Sequence, residues 1–393
     1  MSVIDSWQQR LASLEVPLAV SSNTLLSTCL TNLIDKGRLS EEEGMKLMIE
    51  PSLTGVSSLA DMVKRSRFED RVFYNRNLHI NTTNICVLAC RFCAFRKGPR
   101  HIDAYELTPD QFVERITPLA SDIDEVHSVG GLHPDWDVDD YSDIFSTIKG
   151  KFPWIHIKAL TAIEIIHISR RSGLSIHQTL HRLHDAGLDS IPGGGAEILV
   201  DSVRNKICRG KESSDEYLEV HSLAHNLNIP TNCTMLFGTV ESISDRITHL
   251  IRLREQQDFS GGFQCFVPYP FLQDNSRLPD AQLATSSEVV RMISVSRLML
   301  DNIPHIKAYR MNLGDHLSSV CLNAGADDID GTVGHEEIMH DAGSTTRLDT
   351  PEGALIKLIK SSGSKPIRRN STYDIYTEIE LDDSGFTLPI ISG

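Results

Sequence analysis

The stretch Asn84-Ile-Cys-Val-Leu-Ala-Cys-Arg-Phe-Cys-Ala-Phe95 decides the fold and the chemistry that we expect of this chain. It places Cys86, Cys90 and Cys93 in a Cys-x3-Cys-x2-Cys array, so that one loop can turn three thiols toward a common region. Soft sulfur ligands of this kind are typical of an iron-sulfur cluster, which ordinarily takes four cysteines. The array therefore predicts a 4Fe-4S cluster with one iron left open to a small molecule.

Two other kinds of site also use closely spaced cysteines. In a structural zinc site, His101 or a remote cysteine would complete a tetrahedron, but zinc ligands usually come as two couples and the chain has no second Cys-x2-Cys. A ferredoxin-like electron carrier would have a fourth cysteine nearby and a proline after the third, and neither is present. Both alternatives stay open, with less support than the open cluster.

The composition is that of an ordinary globular protein of 393 residues with a formal net charge of -15. This charge argues against nucleic acid as a partner, because neutralising phosphates requires a basic face. No apolar run approaches the roughly 20 residues that span a bilayer, and the first residues lack the pattern of a secretory signal. The cysteines outside the array are scattered singly, as reduced thiols are, so we expect a cytoplasmic protein.

Strand-like and helix-like segments alternate through most of the chain. The helical stretches begin with capping patterns such as Thr108-Pro-Asp-Gln111. Eight strands are predicted, and eight parallel strands are the number that closes an α/β barrel of the TIM type, (β/α)8. The predicted strands cover residues 77–83, 125–130, 155–161, 188–192, 230–238, 262–268, 305–311 and 327–330.

Two extensions flank the predicted barrel core, which we place at residues 67–335. Residues 1–66 are predicted to be helices that pack on the barrel, and a capping box begins one of them at Ser40. Residues 336–393 form a C-terminal extension. Its last part, residues 378–393, alternates only weakly in polarity and is expected to be a loosely ordered tail.

The active site of such a barrel lies at the C-terminal ends of its strands, and unusual residues recur there. The cluster loop, residues 84–95, follows the first strand, and Gly130 and Gly131 follow the second. Glycines let main chain approach a ligand and offer free amides, although a tight turn is the simpler explanation of such a pair. Gly194 and Glu197 follow the fourth strand, where they could bind a nucleoside; otherwise Glu197 is a capping or surface carboxylate.

Three cationic or titratable side chains near this rim are candidates for contact with an anionic substrate. His127 lies beside the glycine pair, and Lys158 and Arg310 lie on predicted strands. A cation that is buried on a strand needs an anionic partner. A substrate carboxylate would provide one.

Several segments together resemble a known family, the radical SAM enzymes of menaquinone and deazaflavin biosynthesis. The resemblance covers roughly residues 49–373 and includes the aromatic Phe92 directly before the third cysteine of the array. The other matching segments are Val129-Gly-Gly-Leu-His-Pro134, His156-Ile-Lys-Ala159, Pro192-Gly-Gly-Gly-Ala-Glu-Ile198 and Ser296-Arg-Leu-Met-Leu-Asp-Asn302.

The resemblance implies a 4Fe-4S cluster whose open iron binds S-adenosylmethionine as a co-substrate. The 5′-deoxyadenosyl radical would add to the enol ether 3-[(1-carboxyvinyl)oxy]benzoate, with rearrangement and loss of a carboxyl group, in the futalosine route to menaquinone. A reducing electron donor such as flavodoxin or ferredoxin is implied as well. Relatives that act as dehypoxanthine futalosine cyclase or as deazaflavin (FO) synthase subunits share the scaffold and remain alternatives. The implied contacts to S-adenosylmethionine are Phe92, Gly130, Gly131, Gly194 and Glu197.

Overall fold

The computed structural model describes residues 6–379 and shows helices packed around a barrel of strands. The strands are β1 (Arg71–Tyr74), β2 (Asn77–His79), β3 (Glu125–Ser128), β4 (His156–Ala159), β5 (Thr231–Phe237), β6 (Phe263–Pro270), β7 (His305–Ala308), β8 (Asp328–Ile329), β9 (Lys365–Arg369) and β10 (Tyr376–Glu378). The helices are α1 (Trp7–Ser13), α2 (Leu18–Ser21), α3 (Thr24–Lys36), α4 (Glu41–Ile49), α5 (Leu53–Phe68), α6 (Pro109–Ile116), α7 (Val138–Lys151), α8 (Ala162–Ser172), α9 (Ile176–Asp185), α10 (Asp201–Ile207), α11 (Ser214–Asn226), α12 (Ile243–Ser260), α13 (Ser286–Met299), α14 (Arg310–Leu322), α15 (Ile338–Asp341) and α16 (Glu352–Ser361).

Two sheets together enclose the interior of the barrel. Their strand orders are β10-β9-β1-β8-β7-β6-β5 and β2-β3-β4, and all neighbours are parallel except β9 and β10. Bridges at Ser190 and Ile191 join β4 to β5. At the other junction, the side chain and backbone of Asn77 bond to Thr332 and Val333, just beyond β8. The sheets thus close into the predicted TIM-type barrel.

Several strands differ from the sequence prediction. The first predicted strand stops at His79, the eighth contains only Asp328–Ile329, and the fourth persists only as the bridges at Ser190 and Ile191. Pro192 follows directly, and proline lacks the amide that would continue the ladder. The sequence pattern does not reveal β1, because a run of only three apolar residues, Val72 to Tyr74, is too short to distinguish a strand from a helical turn.

The end of β7 changes the interpretation of Arg310. The predicted strand runs to residue 311, but β7 ends at Ala308 and α14 begins at Arg310. The Asp330 carboxylate accepts hydrogen bonds from the backbone amides of Arg310 and Met311, which satisfies the first donors of this helix. Arg310 is therefore a helix residue, and its prediction as a strand residue is wrong.

Helices α1 to α5 occupy the chain between the first described residues and β1. Ser40 caps α4 and Thr108 caps α6, each accepting a hydrogen bond from the backbone amide three residues later. Helix α5 packs along α13, and the buried Lys64 Nζ donates to the carbonyl of Leu322 at 2.7 Å. Across residues 6–379, each helix is too short or too polar for a bilayer crossing.

The C-terminal region covers the barrel end opposite the cluster loop. Strand β9 extends the sheet beside β1, and residues 370–374 follow it. The Tyr373 ring stacks on His305 with centroids 4.1 Å apart, and its hydroxyl donates to Asp328 Oδ2 at 3.0 Å. His305 and Asp328 are the first residues of β7 and β8, so this segment lies against the strand N-terminal ends. Residues 380–393 of the predicted tail lie outside the described residues.

Candidate active site

A cavity of about 300 Å³ runs through the barrel from the cluster loop toward the N-terminal ends of the strands. Such a cavity is within the size range of small-molecule sites. It lies where a barrel of parallel strands places its active site. Its mouth, as we use the term, consists of Cys86, Cys90, Cys93, Gly130, Glu197 and Lys211.

The three predicted cluster cysteines all line this cavity, and no other cysteine among the described residues does. A 4Fe-4S cluster takes one thiolate per iron, so its ligand sulfurs sit at separate corners and do not surround a single point. The three thiols come from one loop and face one cavity, so the donor set fits a cluster held by three thiolates.

Protein contacts fix the cluster loop independently of any cluster. Arg277 Nη2 donates to the carbonyls of Ala89 and Cys90 at 2.9 and 3.2 Å, and Arg96 Nε donates to the carbonyl of Cys86 at 3.2 Å. These bonds satisfy backbone acceptors on both sides of the central cysteine. Burial raises the pKa of the Cys90 thiol to about 12, so that iron binding has to displace its proton. The loop is therefore preorganised before metal binds.

The glycine pair packs against the cluster loop. A Cβ on Gly131 would lie 2.2 Å from the carbonyl oxygen of Ile85, so only glycine allows this approach. The amide of Gly131 donates to the Thr83 carbonyl at 2.8 Å, and the amide of Gly130 donates to Glu164 Oε1 at 2.9 Å. The expectation of free amides is therefore wrong, since both are already bound within the protein. Contact of this pair with S-adenosylmethionine stays a prediction.

Glu164 ties the glycine turn to the next strand. It is the third residue of α8 and accepts hydrogen bonds from the amide of Thr161 at 2.7 Å and from that of Gly130 at 2.9 Å. Its side chain is buried, and burial raises its pKa to about 7. A carboxyl group that changes charge near neutral pH thus lies directly behind Gly130 of the mouth.

Glu197 forms a buried ion pair with a lysine that the sequence did not point to. Its Oε1 lies 2.5 Å from Lys211 Nζ, and both side chains are at most 7% exposed. Glu197 is neither a capping nor a surface carboxylate, so that alternative is wrong. Burial alone would lower the pKa of Lys211, but the Glu197 carboxylate raises it above its usual range. The Lys211 Nζ also lies 5.8 Å from the centroid of the Phe92 ring. The structure thus brings Phe92, Gly194 and Glu197 to one cavity, and their contact with S-adenosylmethionine stays a prediction.

Charged side chains lie at the opposite end of the cavity, where Glu125, Lys158 and Lys307 line it. Lys158 Nζ lies 2.8 Å from Glu125 Oε2, while Asp328 lies between Lys307 Nζ at 3.0 Å and Arg369 Nε at 2.6 Å. Although burial opposes ionisation, Lys158 holds the pKa of Glu125 well below its usual range. Burial also opposes the ionisation of Asp328, but Arg369 and Lys307 lower its pKa to about 2. We call these five residues, Glu125, Lys158, Lys307, Asp328 and Arg369, the floor.

Two of the three predicted substrate-binding side chains lie in the cavity. His127 lines it and stacks on His79 with ring centroids 4.4 Å apart. Burial lowers the pKa of His127 to about 4 and that of His79 to about 3, so both rings are neutral at pH 7. Lys158 lines the cavity as part of the floor, whereas Arg310 is not among the lining residues. His79 was not predicted, although its two-residue offset from Asn77 places both on the inner face of β2.

Two family models match successive parts of the chain. One, described as the Radical SAM superfamily, matches residues 80–253, which contain the cluster loop and β3 to β5. The other, described as the CofH/MqnC C-terminal region, matches residues 260–381, which contain β6 to β10. Together they account for the mouth and for the part of the floor that comes from β7, β8 and β9.

The chain is also similar to individual proteins over most of its length. It is 38% identical to aminodeoxyfutalosine synthase of Thermus thermophilus, over 86% of this chain and 92% of that protein. It is 36% identical to cyclic dehypoxanthine futalosine synthase of Streptomyces coelicolor, over 86% of each chain. The crystal structure of methylornithine synthase (PylB) superposes with a TM-score of 0.70 at 19% identity, over 86% of this chain and 96% of that chain. This last likeness concerns the fold alone.

Proposed function

This chain belongs to the radical SAM superfamily, and we propose that within it the chain acts as an aminodeoxyfutalosine synthase in menaquinone biosynthesis. Enzymes of this superfamily use a 4Fe-4S cluster and S-adenosylmethionine, which together supply a 5′-deoxyadenosyl radical when bound. The proposed reaction joins this adenosyl group to the vinyl carbon of 3-[(1-carboxyvinyl)oxy]benzoate. Rearrangement and loss of one carboxyl group then give 6-amino-6-deoxyfutalosine.

The observation that carries this proposal is the layout of the cavity. One continuous space joins three cluster thiols at the mouth to a cationic floor at the strand starts. A substrate with two carboxylates needs cations along its length, and it must keep its reacting end close to the cluster. The cavity offers both within one barrel. The 38% identity to a protein of this activity supports the same conclusion.

The residues of this chain hold and shield the reactants. Arg277 and Arg96 fix the cluster loop, and the glycine pair lets the next strand end pack directly against it. Radical chemistry requires that reacting carbons be positioned and that water and other hydrogen donors be kept away. The aromatic and aliphatic side chains along the cavity walls, such as Phe271 and Tyr269, serve this exclusion.

A second candidate function is that of a dehypoxanthine futalosine cyclase. The similarity to cyclic dehypoxanthine futalosine synthase, at 36% identity, is almost as high and covers the same share of this chain. The glycine-rich mouth and the cluster loop suit both reactions equally, because both begin from the same radical. Only the product separates the two candidates.

The test uses anaerobically reconstituted protein with S-adenosylmethionine and a reductant, either flavodoxin or dithionite. With 3-[(1-carboxyvinyl)oxy]benzoate, the proposal expects 6-amino-6-deoxyfutalosine as the product in a mass spectrum. With dehypoxanthine futalosine, it expects no cyclised product. Release of 5′-deoxyadenosine together with cyclised product from the second substrate alone would establish the cyclase instead.

Electron paramagnetic resonance of the reduced cluster provides a control that does not depend on the substrate. Binding of S-adenosylmethionine at the open iron should shift the signal, since the fourth coordination position changes its ligands. A signal that does not change when S-adenosylmethionine is added would show that a protein side chain already coordinates the fourth iron.

A further inference from the structure

The floor of the cavity carries one more positive than negative charge. Glu125 is matched by Lys158 at 2.8 Å, whereas the single carboxylate of Asp328 is shared by Lys307 and Arg369. Three cations thus face two carboxylates in the interior of the barrel. A buried cation without a full counter-ion is unfavourable. The floor is therefore electrostatically suited to receive one anionic group from a ligand.

Of the two cations on Asp328, Lys307 is the one that faces the cavity. It lines the cavity, while Arg369 is 1% exposed and donates both to Asp328 and to the Asn370 carbonyl. A lysine ammonium has three donors, and Asp328 is the single ion-pair partner of Lys307 within residues 6–379. Lys307 therefore has donors left for a ligand, and Arg369 is committed to the protein.

A second donor stands in the same part of the cavity. Neither ring nitrogen of His127 has a hydrogen-bond partner within the described chain, although the ring is held by stacking on His79. The ring is neutral and so offers one N–H. His127 and Lys307 both line the cavity, and His127 lies opposite Lys158 of the floor in the pairing of β3 with β4.

The other carboxylates that line the cavity are already occupied. Asp330 accepts hydrogen bonds from the first two amides of α14, and Glu336 accepts one from His340 Nδ1 at 2.9 Å. Glu197 is paired with Lys211 at the mouth. Since donors of the protein already bind these three carboxylates, Asp328 is the carboxylate that pairs with Lys307, and the remaining donors of Lys307 can bind a ligand.

We propose, on the basis of the function proposed above, that Lys307 binds the ring carboxylate of the benzoate substrate and that His127 donates a second hydrogen bond to it. The substrate then enters with its benzoate end first, and its enol ether lies toward the three cluster thiols. Lys307 takes the role for which the sequence suggested Lys158 and Arg310. Lys158 already forms an ion pair with Glu125, and Arg310 forms one with Asp315.

The test compares two substrates on the holoenzyme and on the variant Lys307→Met. For 3-[(1-carboxyvinyl)oxy]benzoate we expect KM to rise roughly 30-fold or more, as is usual when one partner of a buried charge pair is removed. For 2-phenoxyacrylate, which lacks the ring carboxylate, we expect the same KM in both proteins. A variant with unchanged KM for the benzoate, or with an equal rise for both substrates, would overturn the proposal.

Three features of the chain keep this test decisive. Asp328 keeps Arg369 in the Lys307→Met variant, so no carboxylate is left buried alone and the fold should survive. Lys307→Arg restores the charge and should return KM to within a few-fold of the wild type. Lys46→Met serves as the matched control, because Lys46 is an exposed lysine paired with Glu42 on α4. Its KM should equal that of the wild type.

Equilibrium binding of 3-hydroxybenzoate separates this proposal from the proposed function. We expect calorimetry to show that the holoenzyme binds 3-hydroxybenzoate and that Lys307→Met weakens this binding by the same factor as KM. Phenol should bind both proteins equally. If the wild type bound 3-hydroxybenzoate through Lys307 and yet formed no product from the enol ether, only the proposed function would fail. Equal affinity of both proteins for 3-hydroxybenzoate would overturn the role of Lys307.

Discussion

The mouth and the floor of the cavity are built from the chain in opposite ways. The three cluster cysteines of the mouth lie within one loop, between residues 86 and 93. The floor takes one residue from each of β3, β4, β7, β8 and β9, between residues 125 and 369. A short stretch of sequence can thus specify the cluster cysteines, whereas the balance of charges in the floor arises only when strands distant in the sequence pack together. The two regions should therefore respond differently to substitution.

The largest expected effect is at the mouth. Cys90→Ala should abolish both the cluster and turnover, while the protein stays folded, because Arg277 and Arg96 hold the loop through its carbonyls. Iron content, activity and thermal unfolding measure the three outcomes. Cys208→Ala is the matched control, since Cys208 is a buried thiol near Cys90 that does not line the cavity. Turnover that persists in Cys90→Ala would contradict the cluster assignment.

The next largest effect is expected at the floor and concerns stability. Arg369→Met removes two charge-assisted hydrogen bonds to the buried Asp328, which keeps Lys307 at 3.0 Å, so the free energy of unfolding should fall by about 1.5–3 kcal/mol. Urea denaturation measures this change. Arg368→Met, at the neighbouring and partly exposed position 3.6 Å from Glu352, should cost less than about 1 kcal/mol. Equal losses in the two variants would show that the floor charges are not coupled to folding.

A pH dependence is expected from Glu164, whose pKa is raised to about 7 by burial. The unfolded chain releases this proton near pH 4.5, before the folded chain does, so the stability contribution is complete below that pH. As pH rises from about 4.5 to 7, the free energy of unfolding should fall by up to about 3 kcal/mol. Glu164→Gln should remove this part of the slope. Parallel pH profiles for the wild type and Glu164→Gln above pH 4.5 would contradict it.

The smallest expected effect tests the packing between the glycine turn and the cluster loop. Gly131→Ala places a Cβ 2.2 Å from the Ile85 carbonyl, so the loop has to shift, at a cost of about 1–3 kcal/mol and with lower iron content. Gly98→Ala is the matched control, because a Cβ there meets no atom within 4 Å. Iron content equal in both variants would show that the turn does not position the loop.

Much of the fold and of the mouth could be predicted from the sequence because the signals are short-range. The spacing of three cysteines, a capping box and a period of two along a strand each lie within a dozen residues. Lys211 gave no such signal, since it lies in an irregular segment between α10 and α11 and meets Glu197 only in the folded protein. The error at Arg310 has the same origin, because the Asp330 carboxylate that starts α14 is twenty residues away.

The floor could not be predicted, for a different physical reason. Lys158 was recognisable as a strand cation in need of an anion, but the sequence offered no way to choose between Glu125 and a substrate carboxylate. That choice depends on which strands are neighbours and on their register, and β3 and β4 pair with His127 opposite Lys158. Lys307, in a segment with the same His-Ile-Lys-Ala sequence, has a different partner because β8 lies beside it.

The segment at residues 370–374 lies against the strand N-terminal ends, and from the proposed position of the substrate we expect it to set the order in which the two reactants bind. With that end covered and the benzoate seated on Lys307, the deeper reactant has to pass the cluster before the adenosyl donor takes its place above it. Binding is then sequential, with the donor second, and the joined product leaves as one molecule along the route by which its parts came. From this order of binding we expect S-adenosylmethionine to be cleaved productively only when its acceptor is already inside the cavity, which would protect the radical.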